Sequence, residues 1–66
     1  MSARNRMLGR VLSIEADGVM ALVEIEAGPY LLTAAVTRDS IEELGLREGD
    51  EVMALVKATS MMIEKT

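Results

Sequence analysis

Residues 19–26 read VMALVEIE, and the alternation in this stretch decides the fold class. Successive side chains of a strand point to opposite faces, so every second residue is predicted to face a core. The residues of that predicted face are Val19, Ala21, Val23 and Ile25. The other face begins with Met20 and Leu22 and ends with two glutamates, which indicates a strand that passes from a covered to a solvated environment.

Turn signals flank this strand on both sides. Residues 15–18 read EADG, and Asp-Gly is the strongest short-range signal for a hairpin. Residues 27–29, Ala-Gly-Pro, form the next predicted turn. The adjoining segments 7–14 (MLGRVLSI) and 30–36 (YLLTAAV) are rich in apolar and β-branched residues, and we predict a strand for each.

The pattern changes over residues 37–44, which read TRDSIEEL. Thr37 or Asp39 can cap the start of a helix, and acidic residues follow in its early turns. Gly45 suits the left-handed position just after a helix. We therefore predict one short helix.

Another turn is predicted at residues 47–50, a fourth strand at 51–57 (EVMALVK) and a short fifth strand at 61–64. The order β-β-β-α-β-β matches an OB-like barrel, in which five strands curl around one core. The prediction is an all-β protein: a single small OB-like five-stranded barrel with one short helix between strands 3 and 4. Its length of 66 residues predicts one domain, spanning residues 1–66.

The composition indicates that the chain associates with copies of itself. It contains no Cys and no His, which removes disulfides, thiolate metal sites and the commonest transition-metal ligand. A small domain without these stabilising features often depends on partner subunits. Half of the residues are hydrophobic, more than so small an interior can bury, so part of this surplus is expected in subunit interfaces. The six methionines fit core or interface packing better than soft-metal binding.

Charge and aromatic content argue against several function classes. A net charge of −4 and a single Tyr argue against an OB-type oligonucleotide binder, because such binders use basic grooves and stacked aromatic rings. No segment has the length of a membrane span, and the basic residues 1–10 lead into no apolar signal-peptide core. We expect a soluble cytoplasmic protein. Without His or Cys to activate a hydroxyl nucleophile, we expect no enzyme.

Three short polar clusters stand at predicted element ends: residues 2–5 (SARN), Thr37 with Ser40, and residues 57–60 (KATS). A tetrahedral dianion requires many hydrogen-bond donors and one or two cations, which these clusters supply together. Backbone amides at the helix start add donors. Structural explanations remain open for each cluster: helix capping for the hydroxyls, solvation for Arg4 and Lys57, and a simple turn for residues 59–60. These features alone indicate a soluble oligomeric β domain, with anion binding as one alternative.

The same residues resemble the Mop family of small molybdate-binding domains, also called molbindins. Residues 2–11 (SARNRMLGRV) are similar to its opening motif. Residues 32–46 (LTAAVTRDSIEELGL) resemble its central motif, LTA-x-[IV]-T-x-x-S-x-x-x-LGL. Residues 49–59 (GDEVMALVKAT) resemble its ending, G-x-x-V-x-A-x-[IV]-KAT. The three motifs follow one another in register over nearly the whole chain. Together they are specific for the family, whereas no single motif would be.

This resemblance implies an OB-like fold and a cytoplasmic homohexamer, built as a trimer of dimers, that holds molybdate or tungstate at subunit interfaces with no other cofactor. It also implies which residues contact the oxyanion. These are Ser2, Ala3, Arg4, Thr37, Ser40, Lys57 and Ala58, with Thr59 and Ser60 as members of the same or a second site. The alternative is a structural oligomerisation module whose anion site is weak or vestigial. No nucleic-acid or membrane partner is implied.

Overall fold

The computed structural model describes residues 4–66. The chain forms four strands, one short α-helix and one 3-10 turn. In chain order they are β1 (Arg4–Asp17), β2 (Met20–Ala27), β3 (Tyr30–Thr37), α1 (Arg38–Leu44), β4 (Glu51–Lys57) and the 3-10 turn (Ala58–Ser60).

The four strands form one curled antiparallel sheet in the order β3-β2-β1-β4. The long strand β1 pairs with two neighbouring strands: its first half pairs with β4 and its second half pairs with β2. A bulge between Val11 and Ser13 marks the second half, and bulges of this kind bend a strand and increase its twist. Strands β3 and β4 are left as the two edges of the sheet.

The core lies on the concave face of this sheet, where Val11, Val23 and Ile25 form one buried cluster. The alternation predicted for β2 is confirmed, because Ala21, Val23 and Ile25 are all buried. Val19, which was predicted to share that face, is instead 77 % exposed. The reason is the turn: Asp17 pairs with Met20, which leaves Gly18 and Val19 as a two-residue loop.

A close approach of two strands occurs at Gly9, which is buried. A Cβ atom added there would lie 2.6 Å from the Ile25 side chain and 2.8 Å from the Glu26 carbonyl oxygen. Both distances are shorter than van der Waals contact, so only glycine fits at this point of β1.

The predicted helix is confirmed together with both of its ends. Thr37 is the N-cap, and its side-chain oxygen accepts a hydrogen bond from the Ser40 amide. Gly45 ends the helix in the left-handed conformation with φ of 62°. The amides of Gly45 and Leu46 donate to the carbonyls of Glu42 and Ile41 at 3.1 Å, which is the pattern of a Schellman motif.

The all-β OB-like prediction, with one helix between strands 3 and 4, is confirmed; the predicted fifth strand at residues 61–64 is not formed. A strand requires a partner edge, and this segment pairs with neither free edge of the sheet. The prediction rested on its apolar side chains, which are exposed instead. Nowhere in residues 4–66 is there a helix of the length and hydrophobicity needed to cross a membrane.

Candidate functional site

The register between β1 and β4 brings two cationic residues to one end of the sheet. Arg4 and Lys57 are direct cross-strand partners at the start of β1 and the end of β4. The next pair is Asn5 and Val56, and the Asn5 side-chain amide donates to the Val56 carbonyl oxygen at 3.4 Å. Asn5 therefore ties the two strands together beside the cationic pair, a positioning contact that the motif alone did not indicate.

The residues after Lys57 form a single 3-10 turn over Ala58–Ser60. All three residues of the turn are exposed, and so is Lys57. The Met61 amide donates to the Ala58 carbonyl oxygen at 3.3 Å. The hydroxyls of Thr59 and Ser60 thus lie on a solvent-accessible turn directly after a cation.

A second polar group lies at the start of the helix. The Thr37 and Ser40 hydroxyl oxygens are 2.7 Å apart, and the Ser40 amide donates to the Thr37 hydroxyl oxygen at 3.2 Å. Whichever hydroxyl donates in the shorter contact, the accepting hydroxyl keeps its own hydrogen free for another acceptor. Thr37 can therefore cap the helix while one hydroxyl of the pair donates a hydrogen bond to another acceptor.

The backbone amides of the first helical turn contribute less than the sequence suggested. The Arg38 amide donates to the Val19 carbonyl oxygen at 2.8 Å, and the Ser40 amide is used by the cap. Asp39 adds a negative charge in the same turn. The helix has only seven residues, so its dipole is short. At this end of the helix, the hydroxyls are therefore better placed than the backbone amides to donate hydrogen bonds to an anion.

The hydrogen-bond ladder separates the two polar groups along β1, although Val36, Ser40 and Val56 beside them line one cleft of the curled sheet. Arg4 begins β1 and pairs with Lys57. Asp17 ends β1 and pairs with Met20, which in turn pairs with Thr37. The 14 residues of β1 thus separate the cationic pair from the hydroxyl pair along the strand.

Part of the predicted site is beyond what the structure covers. Ser2 and Ala3 lie outside the described residues, so their roles stay predictions, as does the role of the Arg4 side chain. Across residues 4–66, no group of three or more acidic side chains is arranged to hold a metal ion.

One feature that the motif analysis missed is an apolar cleft between the edge strands β3 and β4, with a volume of about 380 Å³. Ala34 and Val36 of β3 and Ala54 and Val56 of β4 line it, together with Ser40 of the helix. The burial of the two edge strands agrees with a cleft on one side of them. Both strands alternate between half-buried and exposed residues, the pattern of strands with one covered face.

Known proteins resemble this chain in sequence and in fold over nearly its whole length. Residues 1–63 match the TOBE domain family. Molybdenum-pterin-binding protein 2 of Clostridium pasteurianum is 44 % identical over 64 residues, which cover 96 % of this chain and 94 % of that protein. The structure of a molybdate binding protein from Sporomusa ovata superimposes with a TM-score of 0.93 at 42 % identity, covering 98 % of this chain and 97 % of the other. MopII from Clostridium pasteurianum, in a structure described as apo2, gives a TM-score of 0.90 at 41 % identity, with 98 % of each chain covered.

Proposed function

The chain belongs to the TOBE domain family, among relatives named molybdenum-pterin-binding proteins, and on that premise we propose that it binds molybdate and serves as a store of this oxyanion. Its fold matches that of a molybdate binding protein over almost the full length of both chains. The motif residues that imply oxyanion contact lie within the matched region.

The observation that carries the proposal is the pairing of Arg4 with Lys57. Like charges directly opposite each other on neighbouring strands destabilise a sheet. A dianion bound between them removes that repulsion and gains charge-assisted hydrogen bonds. A cross-strand pair of cationic residues is therefore better explained by a bound anion than by the stability of the fold.

Each proposed contact has a physical role. Arg4 and Lys57 supply positive charge, and the hydroxyls of Ser2, Thr37 and Ser40 donate hydrogen bonds. Backbone amides near Ala3 and Ala58 complete the shell. Thr59 and Ser60 contribute to the same or a second site.

The oxyanion is held between subunits of a homo-oligomer, a hexamer built as a trimer of dimers. The large apolar side chains that a single chain leaves exposed support association between copies.

The whole chain, residues 1–66, acts as one such domain in the cytoplasm, as a binding protein and not an enzyme. Tungstate is accepted as well, because it is a tetrahedral dianion of nearly the same size and charge as molybdate. The only partners proposed are the oxyanion and copies of the chain itself, with no nucleic acid and no membrane.

Isothermal titration calorimetry tests this function. Sodium molybdate added to the purified assembly is expected to give saturable heat, and sodium chloride at equal ionic strength provides the control for charge screening. An intact assembly that gives no saturable heat with molybdate would instead support the structural module with a vestigial site.

A further inference from the structure

Arg6 is a basic residue near the proposed oxyanion site to which the family motif assigns no role. It lies on β1, and its direct partner on β4 is Leu55. Arg6 is exposed and Leu55 is 51 % exposed, so this pair lies on the outer face of the sheet. Two residues further toward the end of the sheet, Arg4 pairs with Lys57. Because every second residue of a strand lies on the same side, Arg6 is on the side of the sheet that carries the cationic pair.

The register also brings Arg6 close to Lys57. Residues that are diagonal neighbours on antiparallel strands have Cβ atoms roughly 7–8 Å apart, within reach of long side chains. Arg6 and Lys57 are such neighbours, and both are exposed. Three of the chain's seven basic residues thus gather at one end of the β1–β4 pair, in a protein whose net charge is −4. A negatively charged protein repels a dianion at long range, so a local concentration of positive charge is needed to attract one.

The neighbours of Arg6 on β4 do not neutralise its charge. Its direct partner is the apolar Leu55, and its two diagonal neighbours are Met53 and Lys57. The nearest charge across the strand is therefore another cation. The position of Arg6 adds repulsion to the unliganded fold, and a bound dianion relieves it.

Arg10 lies four residues further along the same face of β1, in the opposite surroundings. Its cross-strand partners are Glu51 on β4 and Glu26 on β2. Its guanidinium donates to the Gly49 carbonyl oxygen at 2.8 Å. Opposite charges across neighbouring strands stabilise a sheet, so Arg10 has a structural role. Arg10 is the matched control for Arg6, because the two share residue type, strand and face.

We propose that Arg6 is a third cation of the oxyanion site and raises its affinity for the dianion through positive charge. The role rests on the proposed molybdate binding and adds a residue to the contacts that the motif implies. A single charge about 10 Å from a dianion in water changes the affinity roughly fourfold before screening. Because Arg6 is exposed, salt screens this attraction, which is strongest at low ionic strength.

Calorimetric titration with sodium molybdate at two ionic strengths tests the role of the charge. Arg6→Gln is expected to weaken binding about threefold at roughly 10 mM ionic strength and less than about twofold at roughly 150 mM. Arg6→Lys keeps the charge, so its affinity is expected to stay close to that of the wild-type protein at both. Arg10→Gln is also expected to leave the affinity nearly unchanged, because two glutamates offset that charge and it lies roughly 20 Å from Arg4 along the strand.

Thermal unfolding of the molybdate-free protein separates a binding role from a structural one. Arg6→Gln removes repulsion from Lys57, so the midpoint is expected to stay unchanged or to rise. Arg10→Gln loses the hydrogen bond to Gly49 and two acidic partners, so its midpoint is expected to fall. A lower midpoint in Arg6→Gln, or a changed number of chains per assembly in native mass spectrometry, would make Arg6 a structural residue and overturn the proposal.

The same titrations separate this inference from the proposed function. Wild-type protein that binds molybdate no more tightly than Arg6→Gln would refute the role of Arg6 alone. Equal losses in Arg6→Gln and Arg6→Lys would also refute it, because charge would then not be the cause. Wild-type protein that gives no saturable heat with molybdate would refute the proposed function, and the role of Arg6 with it.

Discussion

At Thr37, the helix cap and the proposed anion contact use the same oxygen atom. This oxygen accepts the Ser40 amide at 3.2 Å and lies 2.7 Å from the Ser40 hydroxyl. The capping role followed from the sequence because Thr is a favoured N-cap with a local geometric signature. The proposed binding role could not be predicted from Thr37 alone, because the residues around it indicate only a helix cap.

A pair of substitutions at Thr37 separates the two roles. Thr37→Ala removes the cap and is expected to lower the free energy of unfolding by about 1 kcal/mol. Thr37→Asp keeps a capping acceptor, so stability is retained, but its negative charge repels a dianion and molybdate affinity falls. Chemical denaturation and calorimetry on both variants give the two readouts. Unchanged affinity in Thr37→Asp would remove Thr37 from the site.

Lys57 is the other side chain on which the site depends most directly. A hydrogen bond to a charged group contributes about 1.5–3 kcal/mol, so Lys57→Ala is expected to weaken molybdate binding roughly 10- to 100-fold. Lys65→Ala removes the same charge from the exposed C-terminal residues and serves as the matched control. Calorimetry that finds the two variants equal would leave Lys57 as a solvated side chain with no part in binding.

At the scale of single elements, the sequence predicted what periodicity and end signals encode. The buried face of β2, the helix and its left-handed Gly45 all follow from local patterns. Strand β1 extends further than predicted, from Arg4 to Asp17. Its ends are polar and are held by ladder pairing, which hydrophobic alternation does not reveal. The absent strand at residues 61–64 failed for a related reason: pairing depends on a partner edge, not on side chains alone.

The contact of β1 with β2 at Gly9 could not be predicted either, because it depends on how closely two strands approach. A methyl group at this position meets the Ile25 side chain and the Glu26 carbonyl oxygen. Gly9→Ala is therefore expected to destabilise the fold by about 1–3 kcal/mol through overpacking. Gly18→Asn, in an open turn with φ of 63°, is the control and should be nearly neutral, because Asn tolerates this conformation. Thermal melts that show the reverse order would contradict the close approach.

At the scale of the whole molecule, the balance of buried and exposed side chains favours association. Among the described residues, five hydrophobic side chains are buried and thirteen large ones are exposed. Composition alone indicated this surplus. Composition could not indicate which apolar side chains are exposed. Their positions, in the cleft and in the C-terminal segment, depend on how the strands pair and curl.

Association of this kind makes stability depend on concentration. A protein whose native state is an assembly unfolds at a higher temperature when its concentration is raised. We expect the midpoint of thermal unfolding to rise over a roughly tenfold increase in protein concentration, measured by scanning calorimetry. A concentration-independent midpoint for the wild-type chain would indicate a self-sufficient monomer.

The central claim is that neighbouring copies of this chain together enclose a tetrahedral dianion. Native mass spectrometry with and without molybdate tests it most directly, since one spectrum reports both the number of chains and the number of bound oxyanions. We predict a hexamer whose mass increases by several molybdate units when molybdate is added. A monomer, or an assembly whose mass does not change, would contradict it.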